Sequence, residues 1–187
     1  MRFFLGGVNG AGKTTLLQKT KEARPEFEVV KGSQEFMAFL GIPGDYEALR
    51  ALPEPYALQK LEEMVDGLVR KHEFLVFDAH YLNLVRGKVK KVTSPYLQRF
   101  DVLLLLKVSP ETVLKRTAND PRERALFPEG LSEAQEFEML SKYIAQQDEE
   151  FERLCSTYKI QGKVLDGEHT PDEVVKEFIA FADTLGR

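Results

Sequence analysis

Gly7-Val8-Asn9-Gly10-Ala11-Gly12-Lys13-Thr14 follows directly on the apolar burst Phe3-Phe4-Leu5. One Gly, four residues and then Gly-Lys-Thr is the spacing of a phosphate-binding loop. Glycines let the backbone turn its N–H groups inward and approach a polyphosphate closely. A helix predicted over 13–23 adds the positive end of its dipole. In this arrangement Lys13 reaches the β and γ phosphates and the Thr14 hydroxyl meets Mg²⁺. The nucleotide-binding candidates are Gly7, Asn9, Gly10, Ala11, Gly12, Lys13, Thr14 and Thr15. The competing reading is a Gly-rich strand-to-helix turn that holds nothing. The strand signal before the loop and the helix signal after it both weigh against that reading.

Outward from the loop, the predicted helix ends near Arg24-Pro25, where Pro cannot continue it. Phe27–Val30 reads as a second strand, and 33–53 as short helical pieces broken by Gly41, Pro43, Gly44 and Pro53. Leu58, Leu61, Met64 and Leu68 recur at helical spacing, which predicts an amphipathic helix over 55–71. Phe74–Phe77 is an interior strand running into Asp78. Residues 79–99 read as a long, Arg- and Lys-rich connection without periodicity. Val102–Val108 reads as a strand whose residues Val102–Leu106 are continuously apolar, without alternation, as a strand covered on both faces requires. Ser109-Pro110 starts a helix, and 119–131 reads as an exposed excursion. Ser132 with Gln135 forms a capping box for a long helix, Val164-Leu165 reads as a short strand, and Thr170-Pro171-Asp172-Glu173 starts the final helix. Strands alternating with helices predict an α/β fold with a parallel sheet.

The 187 residues suit one domain, 1–187, which is 43% apolar and too rich in core residues to be disordered. A net charge of -4 argues against a duplex-DNA or membrane-surface binder. Val102–Leu106 falls far short of the roughly 18 apolar residues of a membrane span. The single Cys155 and the scattered His72, His80 and His169 form no metal motif. A cytoplasmic protein without membrane or nucleic-acid partners is the expectation.

Asp78 closes an apolar strand, the usual context for a carboxylate acting on Mg²⁺ or its waters. The other reading is a strand-end cap. His80 is open between a phosphate contact and a satisfied structural histidine. Arg50, Arg86 with Lys88, Lys90 and Lys91, and the set Arg116, Arg122 and Arg124 are basic groups suited to a second phosphate-bearing substrate. For an isolated Arg the plain alternative is a solvated surface charge. Asp148-Glu149-Glu150-Glu152 reads as an exposed helix face, and Cys155 as an inert thiol.

Asp78-Ala79-His80-Tyr81 lacks the Asp-x-x-Gly of a switch GTPase, and no Asn-Lys-x-Asp guanine motif occurs. The transporter-ATPase signature Leu-Ser-Gly-Gly-Gln is also missing. In order along the chain, the N-terminal loop, Phe36-Met37 before Tyr46–Arg50, Asp78-Ala79-His80, Arg86, Ser109-Pro110-Glu111 with Arg116, Asp120, Arg122 and Arg124, and Leu165-Asp166 resemble archaeal-type adenylate kinases, within the nucleoside monophosphate kinase group. Ala125 stands where that family has Asp, and 82–97 lacks its Gly-Tyr-x-Pro-Gly run. The resemblance implies a three-layer α/β/α P-loop NTPase with a five-stranded parallel sheet. It also implies an acceptor-binding helical segment around 32–70 and a short lid around 117–131.

The function expected from loop and resemblance is an ATP-dependent kinase moving the γ-phosphoryl of Mg-ATP to a small-molecule acceptor, a nucleoside monophosphate. Lys13, Asp78, Arg116, Arg122 and Arg124 would be catalytic, Arg50 and Arg86 would hold the acceptor, and Thr14 and Asp78 would hold Mg²⁺. The alternatives are a kinase for a hydroxyl acceptor (nucleoside, sugar, antibiotic or RNA end), with Asp78 as base, and a regulatory NTPase.

Overall fold

Phe3, Phe4 and Leu5 are each at most 1% exposed, although neighbours along a strand point to opposite faces. A strand buried on both sides needs helices above and below its sheet. The computed structural model, which describes residues 1–85, 87–91, 95–118 and 126–186, supplies them. In chain order the elements are β1 (Arg2–Gly6), α1 (Lys13–Ala23), β2 (Glu28–Lys31), α2 (Gly32–Phe39), α3 (Tyr46–Ala51), α4 (Glu54–Lys71) and β3 (Leu75–Asp78). There follow β4 (Leu82–Val85), β5 (Lys88–Lys91), a 3-10 turn (Pro95–Arg99), β6 (Val102–Lys107), α5 (Pro110–Ala118), α6 (Glu133–Tyr158), β7 (Gln161–Asp166) and α7 (Pro171–Leu185).

The main sheet is five-stranded in the order β2-β3-β1-β6-β7. All its pairings are parallel: Leu5 lies beside Asp78 on one side and Leu104 on the other. One face buries Phe3, Leu5, Leu104 and Leu106 against Leu16 and Leu17 of α1 and Val174 and Phe178 of α7. The other buries Phe4, Phe77, Leu103 and Leu105 against Met64, Val65 and Val69 of α4, the 95–99 turn and the C-terminal half of α6. The α/β/α layering with a five-stranded parallel sheet is thus present. The predicted capping box of Ser132 with Gln135 forms, and the predicted start of the final helix is a second one, Thr170 with Glu173, each closed by reciprocal backbone and side-chain hydrogen bonds.

Two sequence expectations change. Residues 79–99 are not a structureless connection. They contain the antiparallel hairpin β4–β5, with Leu82 opposite Lys91 and Leu84 opposite Val89. Leu82 and Leu84 alternate into the core, but every residue of β5 is exposed, so the described residues of the hairpin show too few inward positions to reveal a period. Glu150 is not on a solvated face either. It is 3% exposed and accepts hydrogen bonds from Arg153 at 2.6 Å and Lys91 at 3.1 Å, which hold its carboxyl below the usual range and fasten the hairpin to α6.

Tyr81, fully buried, fixes the chain leaving β3. Its hydroxyl donates to the Leu104 carbonyl at 2.9 Å and its ring lies against Gly6. A Cβ on Gly6 would come within 2.1 Å of that ring. Overpacking of this kind costs about 1–3 kcal/mol. Gly6→Ala is therefore expected to lower Tm by roughly 3–10 °C, and Gly6→Ala/Tyr81→Ala to lose less than the two single losses summed. Strictly additive losses in calorimetry would show that the contact is not the cause.

Candidate active site

β1, β3, β6 and β7 run in the same direction, so their C-terminal ends meet at one edge, where parallel α/β sheets bind ligands. The loop after Gly6 occupies that edge and delivers the chain into α1. Gly10 and Gly12 adopt φ of 86° and 102°, a region that side chains disfavour. α1 has no side-chain cap and no acidic residue in its first turn, so nothing local cancels its positive end.

Lys13 begins α1 and is 8% exposed. Its Nζ donates to the carbonyls of Gly7 at 2.8 Å and Val8 at 3.2 Å, and lies 3.9 Å from Asp78 Oδ1. Asp78 reaches this point because β3 is in register with β1, the Ala79 N–H donating to the Leu5 carbonyl. Burial pushes the Asp78 carboxyl above its ordinary value, against the opposing pull of Lys13 and Lys31. His80 Nδ1 lies 3.2 Å from the Gly7 carbonyl, so it faces the loop and not only the core. Thr14 and Thr15 are exposed on the first turn of α1.

Arg116 stands on α5, before the proposed lid excursion proper. Its Nη1 donates to the Ala11 carbonyl at 2.9 Å and its Nη2 to the Gly167 carbonyl at 3.0 Å. It thereby ties the phosphate-loop backbone to the turn after β7. Glu168 secures the same turn by accepting from the Ser109 N–H at 2.6 Å and the Thr112 hydroxyl at 2.7 Å, which lowers its carboxyl pKa. A cavity of about 170 Å³ opens here, walled by Gly12, Thr15, Leu106, Arg116, His169 and Val174. The sequence reading missed Gly167 and His169 as site residues. The available signal was their place between a strand ending at this edge and the Thr170 capping box. A larger hollow of about 400 Å³ lies between Met1, Asp101 and Gln161, at the opposite, N-terminal edge of the sheet.

Arg50 is exposed on α3 with its guanidinium 6.0 Å from the Tyr46 ring. Arg86, Arg122 and Arg124 lie outside the described residues, as does part of the 117–131 segment. Lys90 and Lys91 are engaged with Glu54 and Glu150. Cys155 is half-buried, and burial raises its thiol pKa.

Residues 6–130 match the family described as an AAA domain. The chain belongs to that family. No curated protein matches this AAA-domain sequence. Solved structures similar to it include shikimate kinase from Aquifex aeolicus, 19% identical with a TM-score of 0.60, covering 100% of this chain and 98% of that one. Shikimate kinase from Acinetobacter baumannii in complex with shikimate is 14% identical with a TM-score of 0.66, over 98% and 93% of the two chains. Deoxyadenosine kinase from M. mycoides, with the products dCMP and dCDP bound, is 14% identical with a TM-score of 0.60, over 98% and 100%. At these identities the likeness is one of fold.

The raised Asp78 pKa has a thermodynamic sign. The folded state binds the proton more tightly than the unfolded state, so Asp78 favours folding at acid pH and loses that contribution as pH rises from about 4 through its raised value. The Tm of Asp78→Asn minus that of the wild type is expected to increase across this window. A flat or falling difference between pH 3.5 and 7 would contradict the assignment.

Proposed function

We propose that this AAA-domain chain is an ATP-dependent phosphotransferase that passes the γ-phosphoryl of ATP to a small-molecule acceptor, with a nucleoside monophosphate as that acceptor. The observation that carries the reading is the buried Lys13 ammonium, at the mouth of an uncapped helix and 3.9 Å from a desolvated carboxylate. Fixed charge in a low-dielectric pocket is what phosphoryl transfer needs, because its catalysis is mostly positioning and neutralisation of oxygens. The cavity beside Arg116 and His169 adjoins the loop and would take the nucleoside end of the donor.

The donor set suits Mg²⁺. Thr14 offers a hydroxyl and Asp78 a carboxylate, hard oxygens for an ion that keeps waters and substrate phosphates in its shell. These two residues would hold it, and bound Mg²⁺ would neutralise charge on the phosphate oxygens. Lys13, released from the Gly7 and Val8 carbonyls, would hold the β and γ phosphates. A monophosphate acceptor attacks with an oxygen already ionised; the new P–O bond forms as the β–γ bridging bond breaks, and ADP leaves. No base is required. The helices α2–α4 form the acceptor-binding segment, with Arg50 and Arg86 as its phosphate ligands, and Arg116, Arg122 and Arg124 gather charge as the lid over 117–131 closes and excludes water.

Asp78 favours a second reading. A carboxyl with a raised pKa is a better proton acceptor, as a hydroxyl nucleophile demands. The similar folds belong to proteins named for hydroxyl-bearing acceptors, shikimate and deoxyadenosine.

A coupled assay of ADP release across monophosphates, nucleosides and hydroxylated acids separates the two. Turnover with monophosphates supports the first reading, and turnover with unphosphorylated acceptors alone replaces it with the second. Lys13→Met is expected to cut the rate by about three orders of magnitude or more. A variant within threefold of wild type would remove Lys13 from the machinery.

A further inference from the structure

Two donors converge on one carbonyl at the base of the loop. The Gly7 oxygen accepts from Lys13 Nζ at 2.8 Å and lies 3.2 Å from His80 Nδ1. Gly7 is buried, so its oxygen depends on protein donors. His80 is held against it from the other side by its neighbours. Ala79 is bonded through its N–H to Leu5, and the Tyr81 ring is packed on Gly6 with its hydroxyl on Leu104. The imidazole therefore sits on a short segment fixed at both ends, which orients it as a donor rather than leaving it to find a partner. With Nδ1 facing a carbonyl, that nitrogen carries the hydrogen.

We infer that His80 is a positioning residue for triphosphate binding: its Nδ1–H keeps the Gly7 carbonyl satisfied when Lys13 turns from that carbonyl to the phosphates. The inference rests on the phosphotransferase reading for the movement of Lys13. Without His80, every binding event strips a buried acceptor of its donor, and the cost falls on the bound state alone. In the unbound state Lys13 still covers the oxygen, so the loop folds as before. His80 thus acts through Lys13 and Gly7 on affinity, with a smaller effect on the reaction once the triphosphate is held.

Asparagine and glutamine separate this role from bulk or polarity. The Asn amide nitrogen falls near the place of Nδ1, whereas the Gln nitrogen falls near that of Nε2. Titration calorimetry with Mg-ATP on wild type, His80→Ala, His80→Asn and His80→Gln, alongside melting curves, tests it. His80→Ala is expected to weaken binding about tenfold with Tm within a few degrees of wild type, and to raise KM for ATP more than it lowers kcat in any ADP-release assay. His80→Asn is expected within threefold of wild type, and His80→Gln to behave like His80→Ala. A wild-type chain that binds no triphosphate overturns the phosphotransferase reading and this inference with it. Normal binding by the wild type with unchanged binding by His80→Ala, or rescue by Gln as good as by Asn, overturns this inference and leaves the phosphotransferase reading standing.

Discussion

A lysine ammonium held at 8% exposure is the constraint around which the loop edge is organised. An unpaired buried charge is too costly to persist, and Lys13 is satisfied by the Gly7 and Val8 carbonyls and by Asp78. None of these partners is its neighbour by accident of the loop alone. Gly7 and Val8 turn back because glycine permits it, and Asp78 arrives because β3 pairs with β1 one strand away, Leu5 beside Asp78. Parallel register is therefore what assembles the charge pair, and a one-residue slip would turn Asp78 to the opposite face of the sheet.

Where residues announced their own environment, the sequence was legible. The continuous apolar run at 102–106 could only be a strand covered on both faces, and Gly-rich backbone between strand and helix could only be a turn. The caps of α6 and α7 are local hydrogen-bond arrangements, so three or four residues suffice to specify them. The hairpin at 82–91 was hidden because, among its described residues, Leu82 and Leu84 alone point inward and β5 contributes nothing to the core. Glu150 was hidden for a related reason. Its partner Lys91 is remote in sequence, and no local pattern distinguishes a carboxylate that meets a distant lysine from one facing water.

The site divides the same way. Lys13 and Asp78 belong to local patterns that carry their chemistry with them. Arg116 was recognisable as a candidate, but its bonds to the Ala11 and Gly167 carbonyls depend on three segments meeting at the sheet edge. Those bonds change what Arg116 offers. A guanidinium anchored through two of its nitrogens is a fixed wall of the cavity, with its plane set before any ligand arrives. Preorganisation of this sort lowers the ordering cost of binding.

Several features of this edge oppose stability. Asp78 is desolvated, α1 starts without a cap, and the loop holds glycines at positive φ. The opposing contribution comes from the aromatic layers directly behind it. Phe3, Phe27 and Phe178 pack on one face of the sheet, with Phe3 and Phe178 edge to face at 5.0 Å. Phe4, Phe77 and Phe100 pack on the other, with Tyr81 and Tyr96 against Phe4. Large rings bury more area per residue than aliphatic chains and add about 0.5–1.5 kcal/mol per well-oriented pair. They also resist shear, because an edge-to-face contact is lost when strands slide. Tyr81 belongs to both systems: its ring is part of the layer, and its backbone carries His80 to the Gly7 carbonyl. The stiffness of the core is thereby transmitted into the loop through one residue, and a site whose charges must not drift is built on the part of the fold least able to move.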